Sequence, residues 1–133
     1  MAEVIATNSV PCAPTSKVFR EVTANDAALP TEKSKGINCA DFDEVVVHAT
    51  HLAGGNAATV EPHFWASAKD GSPNGGFVAE ETPQVLAVGA GGSRRVFRVA
   101  HSGSVFFEVT GLAAGKGLRL EVSGVPVYGK KGG

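Results

Sequence analysis

The sequence predicts an all-β domain, an antiparallel β-sandwich of either the jelly-roll or the immunoglobulin-like type. In the last third of the chain, three segments alternate apolar and polar residues and are separated by glycine-containing turns. A period of two is typical of a strand with one buried face, and no segment shows the 3.6-residue period of an amphipathic helix. The 17 glycines, together with turn sequences at Asp70-Gly71 and Asn74-Gly75, favour many short strands joined by tight turns.

The predicted strands recur roughly every ten residues, which is the spacing of a sandwich or barrel. Three consecutive valines at 45–47 predict a strand that is buried on both faces. Pro62 lacks a backbone donor and predicts an edge strand or a β-bulge at its position. Alternation places Phe107 inward and its neighbour Phe106 outward. The predicted strands cover residues 16–23, 41–49, 58–68, 77–78, 84–88, 94–101, 104–110, 118–123 and 125–128.

The chain is expected to form one sandwich domain preceded by an extended arm. The arm carries Pro11 and Pro14, which disfavour helix and central strand, and also the apolar residues Val4, Ile5 and Val10. An arm of this kind lies either against its own domain or against a neighbouring subunit, and the sequence leaves both open. The predicted divisions are an arm over 1–15, a sandwich over 16–128 and a tail over 129–133.

Two cysteines, Cys12 and Cys39, lie outside the predicted strands. They form no Cys-x-x-Cys motif and no His/Cys cluster with zinc spacing. They are either free thiols in a reducing compartment or a disulfide that pins the arm to the domain.

Charge and hydropathy exclude two classes of partner. The net charge is −1, so there is no overall basic field to attract nucleic acid. No apolar stretch approaches the length of a membrane span. The first ten residues lack the basic start and the long apolar run of a signal peptide. We therefore expect a protein that is made in a cytoplasm and that binds neither nucleic acid nor membrane.

No motif predicts catalysis or a cofactor. The glycine-rich stretch 89–92 follows a strand but opens no helix, so it reads as a hairpin loop rather than a phosphate-binding turn. Ser102 lies between His101 and Gly103 and is interpreted as a turn residue, without the partners that a nucleophile needs. The glutamates on the predicted strands are not paired by any spacing in the sequence. We predict that the protein is not an enzyme.

The four histidines are expected to be ordinary imidazoles rather than metal ligands. His48 and His51 are three residues apart, whereas two ligands on one strand face need alternate positions. No aspartate or glutamate completes a recognisable ligand set near any histidine in the sequence. The prediction is therefore that the protein holds no metal.

Trp65 and Phe106 are the candidate aromatic contacts. Alternation puts Trp65 on the outer side of its strand, together with Glu61 and His63. It belongs either to a second small core or the rim of the sandwich, or to an exposed platform for a sugar or a partner subunit. If Phe106 is also exposed, the two rings form an apolar patch of the kind that marks an interface.

Arg94 and Arg98 form the clearest basic feature. Both point to the same side of a strand, beside Val96. They are either part of a solvated strand face or a patch that docks on an acidic partner surface.

Residues 58 to 128 resemble the small β-sandwich domains of tailed-bacteriophage virion proteins. The points of likeness are the Ser67-Ala68-Lys69-Asp70-Gly71-Ser72 turn and the aromatic restart at Phe77. They continue with the strand over 95–99 and the paired strands over 105–111 and 118–124.

The resemblance implies a capsid decoration, or cement, protein on the exterior of the virion. Its partner would be the major capsid protein lattice, which it would stabilise as single chains or as a homo-oligomer such as a trimer. The residues expected to make the contact are Val4, Ile5, Val10, Trp65, Phe106, Arg94 and Arg98. The alternatives are a carbohydrate-binding module or adhesin that uses Trp65, and a phage tail or baseplate adaptor.

Overall fold

The computed structural model describes residues 10–14, 17–22, 29–52, 57–66, 76–112 and 116–125. Within these ranges the protein is almost entirely β-structure, and two sheets pack against each other, which confirms the predicted sandwich. The strands are β1 (Val10–Pro11), β2 (Lys17–Val22), β3 (Ile37–Asn38), β4 (Glu44–His51), β5 (Ala58–Ala66), β6 (Gly76–Ala79), β7 (Leu86–Val88), β8 (Ser93–Arg98), β9 (Ser104–Thr110) and β10 (Leu118–Gly124). A 3-10 helix spans Lys33–Lys35.

The strand order is that of a jelly roll. One sheet has the order β2-β10-β4-β8, and the other has the order β1-β3-β9-β5-β6, with β7 also paired to β5. All ladders are antiparallel except the one between β1 and β3. Each sheet therefore interleaves early and late strands of the chain, as two intertwined Greek keys require, which selects the jelly roll over the immunoglobulin-like arrangement.

The core lies between the sheets and follows the period of two. The seven residues of β10 alternate strictly between buried and half-buried. Val45 and Val47 on β4 are fully buried, whereas Val46 is half-buried on the outer face. The prediction that this strand is buried on both sides is therefore wrong, because only the inner face of the sheet is covered. Each fully buried valine or leucine contributes about 1.5–3 kcal/mol to the hydrophobic stabilisation. The largest fully buried side chains are Phe97, Phe107, Ile37, Leu118 and Leu120.

Pro62 occupies a gap in the ladder of β5. The strand is central, since β9 pairs with one edge and β6 and β7 pair with the other. On that second edge, β6 ends at Ala79 opposite His63 and β7 begins at Leu86 opposite Val60, so Glu61 and Pro62 have no ladder partner there. The prediction of an edge strand is wrong, but a local stretch of free edge accommodates the missing N–H.

The described part of the arm lies on the body of its own domain. The backbone of Val10 pairs in parallel with Ile37. Cys12 then donates its backbone N–H to the carbonyl of Asn38 at 2.9 Å. Residues 10–14 therefore lie against their own domain, which is one of the two positions that the sequence left open.

The two cysteines are free and buried, and they lie next to each other. The thiol of Cys39 is hydrogen-bonded to that of Cys12, and this contact, together with burial, raises the pKa of Cys39 well above its usual range. Of the two alternatives that the sequence left open, the structure contains the pair of thiols.

Several predicted features fall on residues outside the described ranges. These are Val4 and Ile5 of the arm, the turn over 67–75, residues 126–128 of the last predicted strand and the tail over 129–133. Among the described residues, no helix is both long and apolar enough to cross a bilayer.

Candidate functional site

The outer face of the six-stranded sheet gathers side chains from β5 and β9. Glu61, His63 and Trp65 lie on this face of β5, as alternation predicts. In the antiparallel register, Glu61 lies opposite Glu108 and His63 lies opposite Phe106. Opposed residues point to the same side of a ladder, with Cβ atoms about 4.5–5.5 Å apart. These five side chains therefore share one surface.

Phe106 lies on this outer face but is buried, so the prediction that it forms part of an exposed apolar patch is wrong. Only 5% of the residue is exposed. The guanidinium of Arg20 lies 4.4 Å from the ring centroid, and the rings of Phe19 and Phe77 pack against it at 5.9 and 5.7 Å. A register shift in the pairing of β2 with β10 leaves Phe19 without a ladder partner. Aromatic and cation–π contacts therefore give Phe106 a structural role.

Trp65 joins Phe19, Phe77 and Phe106, and we call these four rings the aromatic cluster. The ring of Trp65 meets that of Phe77 edge to face, with centroids 5.1 Å apart and planes at 76°. The residue is half-buried. The ring thus packs on its own sheet, as expected for a residue of a second small core or of the sandwich rim.

Next to the aromatic cluster, two glutamates converge on one histidine. The Nε2 atom of His63 lies 3.2 Å from Oε1 of Glu108 and 3.7 Å from Oε2 of Glu61. His63 is 8% exposed, while the two carboxylates are half-buried at the surface. The Nδ1 atom of the same ring is buried and has no hydrogen-bond partner within the described part of the chain. We call Glu61, His63 and Glu108 the outer-face triad.

The outer-face triad contradicts the prediction that no carboxylate completes a ligand set around a histidine. Its three candidate ligand atoms lie within 4.8 Å of one another. The alternate spacing of Glu61 and His63 is visible in the sequence. Glu108, however, lies 45 residues further along from His63 and joins them only through the β5–β9 register. Nitrogen and carboxylate donors at this spacing are able to hold a metal ion or to share a proton.

The outer face of the four-stranded sheet carries the two predicted arginines. Arg94 and Arg98 are exposed on β8, opposite His48 and Glu44 of β4. Between them lies Val96, which is 44% exposed. The prediction that the two arginines point to one side beside this valine is confirmed. We call Arg94, Val96 and Arg98 the β8 face.

The free edge of β8 is blocked by the side chain of Gln84. Its Oε1 atom accepts the backbone N–H of Arg98 at 2.7 Å, and its Nε2 atom donates to the carbonyl of the same residue at 2.9 Å. Arg95 donates to the carbonyl of Val85 beside it. Side chains thus occupy positions at which another strand would pair.

The candidate contact residues therefore do not form one continuous site. Trp65 and Phe106 lie on one sheet, Arg94 and Arg98 lie on the other, and Val10 contributes its backbone to β1. Comparison with protein-family models found no match. No curated protein and no solved structure matches the chain either.

Proposed function

We propose that this protein is a structural virion component, a decoration protein that binds the outer surface of a major capsid protein lattice. The observation that carries the proposal is the β8 face, where two exposed arginines flank an exposed valine on the outer side of the sheet. Sheet faces that combine exposed apolar area with basic side chains suit docking on a complementary protein surface. The complement of this face is an acidic surface with a small apolar centre.

The fold and the sequence resemblance support the same class. The jelly roll is an architecture of viral capsid and lectin domains, although a fold alone does not define a function. The likeness of residues 58–128 to tailed-phage virion proteins favours the first of these. On a repeated lattice, a small contact with each capsid subunit is sufficient for stabilisation. A decoration protein that is present above its dissociation constant stabilises every capsid subunit that it occupies.

The first test is whether the chain binds shells of the major capsid protein encoded beside its gene. Purified protein is added to expanded shells at low salt and sedimented with them. We expect saturable binding that weakens as the ionic strength rises, because exposed charges are screened. The absence of a neighbouring capsid gene, or protein that stays in the supernatant, would refute the proposal.

The second test separates the β8 face from the rest of the surface. The double variant Arg94→Glu/Arg98→Glu is expected to bind shells at least about tenfold more weakly, since like-charge contacts suppress association. Lys35→Glu/Lys116→Glu is the matched control, because it changes the net charge by the same amount away from β8. Equal losses in both variants would assign the binding to net charge alone. A third variant lacking residues 2–9 tests the arm while keeping Val10 and Cys12.

The carbohydrate-binding alternative requires an exposed ring face at Trp65. That ring packs edge to face on Phe77, which leaves less of it for stacking on a sugar. Binding on a glycan array that is lost in Trp65→Ala would favour the alternative. The tail-adaptor alternative is distinguished by imaging labelled copies on whole particles.

A further inference from the structure

We propose that the outer-face triad of Glu61, His63 and Glu108 is a binding site for one divalent first-row transition-metal ion. This site is independent of the β8 face and lies on the opposite sheet. It requires no docking partner. The proposal therefore stands or falls separately from the proposed function.

The spacing of the donor atoms fits a single ion. Two ligands at about 2.0–2.2 Å from a metal, with angles between octahedral and tetrahedral, lie roughly 3.0–3.5 Å from each other. His63 Nε2 and Glu108 Oε1 are 3.2 Å apart, which already satisfies this condition. Glu61 Oε2, at 3.7 Å from the same nitrogen, needs only a small side-chain rotation. The strand backbones need not move, because all three residues belong to one β5–β9 ladder.

Electrostatics favours a cation between the two glutamates. Glu61 and Glu108 are directly opposed across the ladder, and like charges in this position destabilise a sheet. Within the described residues, no lysine or arginine forms an ion pair with either carboxylate, and the group that faces both is the imidazole of His63. A divalent ion neutralises both charges at once.

The position of His63 Nε2 between the two carboxylates points to the same conclusion. The residue is only 8% exposed, and its Nε2 atom faces both carboxylates. A proton on Nε2 directed at the nearer glutamate leaves Glu61 without a donor from this ring. A metal on the Nε2 lone pair instead contacts the imidazole and both carboxylates. The ring proton then resides on Nδ1, which has no acceptor among the described residues, so the site forgoes the second hydrogen bond that is usual for a ligating histidine. Binding thus replaces one hydrogen bond with three coordinate bonds in a pocket whose imidazole is already desolvated.

The donor types define the class of ion. An imidazole nitrogen with two carboxylate oxygens suits Mn²⁺, Fe²⁺, Co²⁺ or Zn²⁺, whereas Mg²⁺ and Ca²⁺ prefer oxygen ligands alone. Both glutamates remain partly accessible to solvent, so water molecules complete the coordination shell. The aromatic rings of Phe106 and Trp65 border the site.

The test uses untagged, full-length protein that has been treated with a chelator and then dialysed. Co²⁺ is titrated while its visible absorption and the fluorescence of Trp65, the single tryptophan of the chain, are recorded. We expect one Co²⁺ per chain, with quenching that saturates at the same ratio, and competition by Zn²⁺. Millimolar Mg²⁺ should not compete, and equal binding of Mg²⁺ would overturn the assignment to a transition metal.

The variants Glu108→Gln and Glu61→Gln preserve shape and remove one charge each. Each is expected to weaken Co²⁺ binding at least tenfold, whereas the matched controls Glu44→Gln and His48→Gln on the other sheet leave it unchanged. Circular dichroism and thermal unfolding establish that each variant is folded. Unchanged binding in folded Glu108→Gln, or no binding to the folded wild type at millimolar Co²⁺, would overturn the proposal.

Discussion

Arg20 on β2 donates a hydrogen bond from its guanidinium to the main-chain carbonyl of Phe107 on β9, at 3.0 Å. The two residues belong to different sheets, so this bond ties the sandwich together along one side. β3 pairs with β9 only at Ser104 and Val105, and beyond them the guanidinium takes the place of a strand partner. The same guanidinium lies over the ring of Phe106. Arg20 therefore covers both the unpaired edge of β9 and one side of the aromatic rings.

Replacing Arg20 by methionine is expected to destabilise the fold. The change keeps an unbranched stem but leaves the carbonyl of Phe107 without its donor, which costs about 1–3 kcal/mol for a buried group. Arg119→Met is the control, because the ion pair of Arg119 with Glu21 is exposed and such pairs contribute about 0–1 kcal/mol. Urea unfolding at neutral pH measures both variants. Equal losses would show that Arg20 acts only as a surface charge.

The Cys12–Cys39 contact makes stability fall in alkaline solution. The hydrogen bond with Cys12, and then burial, raise the pKa of Cys39 in the folded protein above the ordinary thiol value of 9.0. The unfolded chain ionises near that value while the folded chain stays protonated. The contribution is therefore complete below pH 9.0 and is lost as the pH rises above it. The slope is about 1.4 kcal/mol per pH unit.

The measurement is the free energy of unfolding between pH 8 and pH 10.5 under reducing conditions, for the wild type and for Cys39→Ala. Groups other than the contacting thiol of Cys12 contribute equally to both proteins, so their difference isolates the pair of thiols. We expect the advantage of the wild type to shrink as the pH rises. A constant difference would show that the thiol ionises with its ordinary pKa in the folded protein.

The period of two predicted most of the strands because one-sided burial imprints alternation on the sequence. It succeeded at β9 and β10, whose inner residues are apolar in turn. It could not assign Val46, because an apolar residue on an outer face looks the same in sequence as one in a core. The alternation also could not predict the burial of Phe106. The groups that cover this ring come from β2 and β6, and they reach it only through tertiary contacts.

The outer-face triad illustrates the same limit for sites. Strand alternation placed Glu61 and His63 on one face, and it did so correctly. Glu108 joins them only when β9 pairs with β5 in one particular register, and shifting that register by one residue would turn it into the core. Ligand sets that span two strands are therefore invisible to spacing rules written for a single segment.

Gly92 is expected to tolerate no side chain. Its φ is +123°, and a Cβ atom would lie 2.8 Å from the carbonyl oxygen of Ala49. Both the backbone conformation and the contact with a rigid main-chain atom oppose substitution. Gly92→Ala should lose about 1–3 kcal/mol in thermal unfolding. Gly76→Ala is the control with open space around the new methyl group, and it should be neutral or slightly stabilising. Similar losses in the two variants would contradict the described turn.

Ala100 presents the opposite case, since it is a non-glycine residue in the left-handed region, with φ of +49°. The turn holds it there because the N–H groups of Val99 and Ala100 both donate to the carbonyl of Asp43 at 2.8 Å. A side chain in this region costs about 1–2 kcal/mol, and glycine removes that strain while adding up to about 1 kcal/mol of unfolded-state entropy. Ala100→Gly is thus expected to be neutral or up to about 1 kcal/mol stabilising. Ala87→Gly, on the exposed side of β7, should destabilise the protein by about 0.5–1 kcal/mol. Chemical denaturation of both variants gives the comparison, and an Ala100→Gly protein as destabilised as Ala87→Gly would mean that the turn carries no strain.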